Sequence, residues 1–112
     1  MNCIHLNGYS IGIIVEDKLA ILKNNNMFIL PQKSEYKIKL GNCNDTKCDV
    51  IIWIDNIQMG VWRLDSYTHL TIERPLGIDK RLMFNNYTSG SFIKAEFRPE
   101  KLKGPKYNFY HM

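Results

Sequence analysis

Apolar and polar residues alternate with a period of two along most of this chain, and this alternation limits what the chain can fold into. Tyr36, Ile38 and Leu40 alternate with charged residues, and Val50, Ile52 and Ile54 share a second such phase. A period of two places successive side chains on opposite faces of a β-strand, whereas a helix repeats near 3.6 residues. The helical period is missing from every longer segment, so the sequence predicts an all-β protein.

Turn signals separate these strands at short intervals. The residues Glu16-Asp17 and Asp55-Asn56 and the polar segment 41–47 each interrupt apolar runs. Asp and Asn tolerate positive φ, so Asp55-Asn56 suits a two-residue hairpin turn, and Trp53 and Trp62 on its two arms could share a face, subject to register. About eight to ten short strands of this kind predict a single antiparallel β-sandwich with a jelly-roll-like arrangement.

Length and composition agree with one globular domain followed by a tail. The chain has 112 residues, 45% of them hydrophobic and 23% charged, which excludes a disordered chain. Its composition changes at Pro99, after which the sequence is basic and aromatic. We therefore expect a β-sandwich domain over residues 1–98 and a C-terminal tail or arm over residues 99–112.

The cysteines and the N-terminal sequence point to a reducing compartment. The chain has three cysteines, Cys3, Cys43 and Cys48, and its first residues lack the charged and apolar regions of a signal peptide. We expect free thiols and an intracellular location, with a Cys43–Cys48 bridge as the alternative in an oxidising setting. Since every apolar run is far shorter than the roughly 18–20 residues of a membrane span, we expect no membrane partner.

The sequence contains no standard motif for catalysis or metal binding. The pairs Cys3/His5 and Cys43/Cys48 differ from the close cysteine pairs of structural zinc sites. Neither a G-x-S-x-G nucleophile elbow nor a glycine-rich phosphate loop occurs. The sequence therefore predicts a protein that is not an enzyme, with no catalytic residues, metal, cofactor or small-molecule substrate.

The segment from about residue 50 to residue 100 carries a resemblance to known proteins. It combines the hairpin sequence of residues 50–56 with G-x-W-R-L at 60–64, I-E-R-P at 72–75 and F-I-K-A-E-F-R-P-E at 92–100. This combination resembles small uncharacterised β-domain proteins encoded by large DNA viruses of protists and their satellite viruses. The resemblance implies a viral protein, located in the host cytoplasm or the virion, and it brings no catalytic residues with it.

The leading interpretation is a self-associating interaction module. Three aromatic residues lie within four positions near the C-terminus, and aromatic surface is more stable when it is buried against a domain or a neighbouring subunit. Open sandwich edges allow strands of two subunits to pair, and a C-terminal arm can be exchanged between two subunits. We expect a homo-oligomer that uses Tyr107, Phe109 and Tyr110 as an arm, with Trp62 and Arg63 as a secondary surface.

The first alternative is a nucleic-acid-binding protein. The net charge is +4, and the lysines of the tail interleave with aromatic residues. Cations for phosphates and aromatic rings for bases are the two components of single-strand binding. The candidate residues for this DNA-binding role are Lys80, Arg81, Arg98, Lys101, Lys103 and Lys106.

The second alternative is a carbohydrate-binding jelly roll. Such a protein would place exposed aromatic rings against sugar rings in a concave face. The candidates for this role are Trp53, Trp62 and Tyr67.

Overall fold

The structure is a computed structural model that describes residues 2–24, 26–77, 80–84 and 91–100. Those residues contain twelve β-strands and no helix. The strands are β1 (Cys3–Leu6), β2 (Tyr9–Val15), β3 (Lys18–Leu19), β4 (Ile21–Lys23), β5 (Met27–Ile29), β6 (Ser34–Glu35), β7 (Lys37–Asn42), β8 (Cys48–Ile54), β9 (Ile57–Leu64), β10 (Thr68–Ile72), β11 (Met83–Phe84) and β12 (Ile93–Pro99). The all-β prediction is confirmed, and short strands such as β3, β6 and β11 raise the number above the eight to ten expected.

Two antiparallel sheets form the body of the molecule. The larger has the order β1-β2-β7-β10 with β3 also paired to β2, and the smaller has the order β12-β8-β9. Two-stranded ribbons, β4–β5 and β6–β11, complete the described strands. The inner faces of the two sheets share one hydrophobic core, as in a β-sandwich. The finer jelly-roll-like arrangement stays a prediction.

The core consists of the alternating residues that the sequence pattern assigned to one face. The fully buried side chains are contributed by both sheets: Ile11, Ile13, Ile38 and Leu40 from the larger, and Val50, Ile52, Leu64 and Phe97 from the smaller. Tyr9 and Phe97 stack across the interface, with ring centroids 4.6 Å apart. Because the period is two, every residue between these positions must face outward.

The residues predicted to form hairpin turns have the positive φ values that such turns require. Asp55 and Asn56 have φ of 51° and 67°, and Glu16 and Asp17 have φ of 52° and 62°. Two successive positive φ values define the type I′ turn, whose twist suits two-residue hairpins. Both predicted turns are therefore confirmed, and Asn7-Gly8 forms a third between β1 and β2.

A β-bulge overturns the shared face suggested for the two tryptophans. Without a bulge, the turn at residues 55–56 would pair Trp62 with Asp49, on the same face as Trp53. The register instead shifts between Ile52 and Trp53, so that Trp62 lies opposite Val50 and faces the core. Trp53 remains on the outer face opposite Gln58. A one-residue shift exchanges the two faces of a strand, so the expectation of a shared face is wrong.

The ends of two predicted segments differ slightly from the structure. The polar loop is shorter than expected, because Gly41 and Asn42 belong to β7. The buried Asn42 amide donates to the carbonyl oxygens of Thr46 and Asp65, at 2.9 and 3.1 Å. Strand β12 reaches Pro99, and the Glu100 N–H donates to the Lys47 carbonyl oxygen, so the sandwich extends past residue 98.

Two phenylalanines five residues apart, Phe92 and Phe97, provide a test of the core. Phe97 is 0% exposed, whereas Phe92 is 57% exposed. We expect Phe97→Ala to lower the free energy of unfolding by about 3–5 kcal/mol, because it removes the Tyr9 stack and leaves a cavity. Phe92→Ala, the matched control, should change it by less than about 0.5 kcal/mol. Urea denaturation measures both, and equal losses would contradict this core.

Candidate interaction surfaces

The β4–β5 ribbon lies against the sandwich through one of its faces. Its register pairs Ile21 with Ile29, and Leu22 with Phe28. Phe28 packs against the hydrophobic core, and paired residues of a ribbon share a face. Leu22 and Phe28 therefore form the inner side of the ribbon.

The outer side of the ribbon is apolar as well. Ile21, Met27 and Ile29 are 59%, 56% and 50% exposed, and we call these three residues the ribbon face. Lys23, opposite Met27, is the charged residue on the same side. An outward strand face is usually polar, so the ribbon face is an exposed apolar patch that the core does not account for.

The two long edges of the ribbon differ. On the β4 edge, the Leu22 N–H donates to the Asn2 side-chain oxygen at 3.2 Å, and Lys23 adds a charge. Strand β5 pairs with β4 alone among the described strands, and no charged residue lies between Met27 and Pro31. The β5 edge is therefore the edge left open for pairing.

The outer face of the smaller sheet carries charges that neutralise one another. Arg63 contacts Asp49 at 3.1 Å and Glu100 at 2.5 Å. Hydrogen bonds to Glu100 and Asp49 raise the pKa of Arg63 further above its usual range. Arg98 pairs with Glu96 at 2.6 Å on the neighbouring edge strand. These pairs leave little net charge on this face for an external anion.

Trp53 lies on this same outer face, but a neighbouring cation covers it. The Lys94 ammonium is 4.3 Å from the centre of the Trp53 ring, in cation–π contact. A sugar ring would have to displace Lys94 to stack there.

Trp62 lies at a different place, between the edges of the two sheets. It packs partly against the core and lines an open groove of about 500 Å³. Leu76 covers Gly60 at the bulge, where its N–H donates to the Met59 carbonyl oxygen at 3.1 Å. The other residues lining the groove are Thr71, Ile72, Glu73, Arg74, Pro75 and Gly77.

The two residues of the predicted secondary surface therefore do not share a face. Trp62 faces inward beside Val50, and Arg63 faces outward beside Asp49. The carbohydrate candidates are separated as well, since Trp53 and Trp62 lie on opposite faces and Tyr67 is 69% exposed in the turn before β10.

The predicted nucleic-acid residues are also dispersed within the part of the chain that the structure describes. Lys80 is exposed, and Arg81 lies 3.8 Å from Glu35 beside a groove on the larger sheet. Arg98 lies on the smaller sheet and pairs with Glu96. The remaining candidates lie outside the described residues: Lys101, Lys103, Lys106, Tyr107, Phe109 and Tyr110.

The three thiols are free and differ in burial. Cys3 is half-buried, Cys43 is exposed, and Cys48 is fully buried. Burial, with Asp49 adding to it, raises the pKa of Cys48 to about 12. Within the described ranges, no three His, Cys, Asp or Glu side chains are grouped so as to hold a metal ion, and no helix is of membrane-spanning length.

Comparisons with protein-family models, curated proteins and solved structures gave no match to this chain.

The buried ionisable groups predict how stability changes at high pH. Burial raises the pKa of Tyr36 from 10.0 to about 12, and that of Cys48 from 9.0 to about 12. The unfolded chain therefore loses these protons first, so their contribution is complete below pH 9 and is lost as the pH rises towards 12.

We expect the free energy of unfolding to fall across this window. Tyr36→Phe should flatten the fall above pH 10 by at most about 1.4 kcal/mol per pH unit, because it removes the difference in proton loss between the folded and the unfolded chain at this position. Urea titrations at several pH values measure the slopes. Identical slopes for wild type and Tyr36→Phe would refute the assignment.

Proposed function

We propose that this protein is a non-enzymatic interaction module that associates with copies of itself through the β4–β5 ribbon. The observation that carries the proposal is the ribbon face, where Ile21, Met27 and Ile29 are each at least half exposed on one side of a two-stranded element. Exposed apolar patches of this kind mark interaction surfaces.

The energetics favour covering the ribbon face. Complete burial of an Ile or Met side chain is worth about 1.5–3 kcal/mol, and these three side chains are half buried already. Association must also offset a loss of translational and rotational freedom of at least about 4 kcal/mol. The ribbon face therefore needs neighbouring contacts, and Leu19, 38% exposed at the base of the ribbon, extends the apolar surface.

The chemistry of the edges favours a second copy as the partner. Two β5 strands can lie antiparallel about a two-fold axis, since each is uncharged and unpaired on that side. Two β4 edges would instead bring Lys23 and the Asn2 cap into the contact. A continuous sheet across the axis would give each β5 strand the hydrogen bonds that its open edge lacks.

The proposal includes the setting that the sequence resemblance implies. A viral, virion-associated role suits a small module that assembles with itself, because particles are built from repeated contacts. The aromatic arm of Tyr107, Phe109 and Tyr110 adds a second contact to this proposal. The arm is an expectation from the sequence alone.

Sedimentation equilibrium tests the proposal with a matched pair of variants. Wild type should have a mass above that of the 13.1 kDa monomer, and Ile29→Lys should reduce it to the monomer by placing a charge at the β5 edge. Ile57→Lys changes an isoleucine that is 63% exposed away from the ribbon and should associate like wild type.

Circular dichroism confirms that each variant is folded. A monomeric wild type at all concentrations would refute self-association. A dimer that survives Ile29→Lys would place the interface elsewhere and refute the role of the ribbon.

A further inference from the structure

The outer face of the larger sheet brings together polar residues from four strands. One row across the sheet contains His5, Ser10, Gly41 and His69, in consecutive register on β1, β2, β7 and β10. The adjacent row contains Cys3, Gly12, Lys39 and Thr71. We call the outward residues His5, Ser10, Lys39, His69 and Thr71 the polar face.

Glycine allows two of these side chains to converge. A Cβ at Gly41 would meet the His69 ring at 3.1 Å and the Ser10 hydroxyl closer still. The Ser10 and His69 side chains therefore fill the space above Gly41, and any larger residue there would displace them. The result is a hydroxyl and an imidazole side by side, diagonal to Lys39 on the next row.

The polar face contains a cation and no carboxylate. The outward positions of β1, β2, β7 and β10 include Lys37 and Lys39 but neither Asp nor Glu. Glu73, just beyond β10, pairs with Lys37 at 3.1 Å. Among the described residues, no carboxylate lies within 4.0 Å of the Lys39 ammonium.

This contrast separates the two outer faces of the sandwich. On the smaller sheet, Arg63 and Arg98 are each bound to carboxylates, and Lys94 lies over Trp53. On the larger sheet, Lys39 is half-buried between Gly12 and Thr71 and keeps its charge available. The outer face of the larger sheet therefore offers an anion a cation without a carboxylate partner among the described residues, which the pairs on the smaller sheet do not.

We propose that the polar face binds the phosphate backbone of a nucleic acid strand. The Lys39 ammonium would pair with one phosphate, while the Ser10 and Thr71 hydroxyls and the ring N–H groups of His5 and His69 donate hydrogen bonds to phosphate oxygens. The four strands span about 14 Å at about 4.8 Å per strand, so the row is longer than one phosphate group. A flat face of this length suits an extended chain of phosphates, read without sequence preference.

The residues of this site are distinct from those of the proposed self-association surface and from the tail lysines. It uses residues that the sequence did not single out for nucleic acid, because His5 and His69 come to lie in one row only through the strand order of the sheet. Within this face, Lys39 supplies the charge and the hydroxyl and imidazole groups set the geometry.

Fluorescence anisotropy with labelled single-stranded and duplex oligonucleotides tests the proposal on the full chain. The variant is Lys39→Gln, and the matched control is Lys94→Gln on the opposite sheet. Lys39→Gln should weaken binding and reduce the slope of log affinity against log salt between about 50 and 200 mM. The loss of one phosphate contact reduces the slope by about 0.9 for duplex and about 0.7 for single strands.

Two further variants separate this site from the tail and from a folding defect. A full-length protein with Lys101→Gln, Lys103→Gln and Lys106→Gln should still bind in a Lys39-dependent way. Amide NMR spectra of wild type should show oligonucleotide-induced shifts at Ser10, Gly41 and His69, and the spectrum of Lys39→Gln should remain that of a folded protein. Ser10→Ala should weaken binding without changing the salt slope, since it removes a donor and no charge.

Several results would overturn the proposal. These are no binding at about 50 mM salt, equal affinities and slopes for Lys39→Gln and Lys94→Gln, and binding that only the tail variant abolishes. Inorganic phosphate is the remaining probe. Inorganic phosphate and the oligonucleotide are compared at the same total concentration of phosphate groups. If both shift the same amide signals equally, the site binds a single ion, and the proposal of an extended strand is contradicted.

Discussion

The contact between the inner faces of the two sheets is the constraint on which the remaining structure depends. Tyr9 and Phe97 stack across it, and the side chains of β2, β7, β8 and β12 interdigitate around them. Once these faces are buried, the period of two assigns every other residue to an outer face. The polar face and the charge pairs of the smaller sheet are therefore consequences of which residues the core requires.

The core and the turns were predictable because both depend on local sequence, the core on alternation and the turns on their residue types. Tyr36, Ile38 and Leu40 share a phase whatever the partner strand is, and Asp55-Asn56 favours a hairpin turn wherever it occurs. The bulge in β9 was not predictable in this way. Leu76, which is distant in sequence, covers Gly60 at the bulge. Because the bulge adds one residue to β9, Trp62 faces the core and Arg63 faces the solvent.

The candidate surfaces were harder to foresee because they depend on pairings between distant segments. The sequence showed two short apolar runs on either side of Asn24 to Asn26 but could not show that one side of the resulting ribbon stays exposed. His5 and His69 likewise lie far apart in the chain, and the strand order β1-β2-β7-β10 places them in one row. Charge counts have the same weakness, because Arg98 counts as basic in sequence yet is paired with Glu96 in the fold.

The two proposed surfaces adjoin each other, which has a thermodynamic consequence. Leu19, at the base of the ribbon, packs over Gly12 beside the polar face, and Asn2 joins the start of β1 to β4. Where a two-fold contact at the ribbon brings the polar faces of two copies to one side of the dimer, a single phosphate chain can contact both. A phosphate chain long enough to contact both would bind the dimer more tightly than the monomer. By linkage, the bound strand would favour self-association to the same extent. The affinity for the strand would then depend on the protein concentration, and the dimerisation constant would depend on the strand concentration.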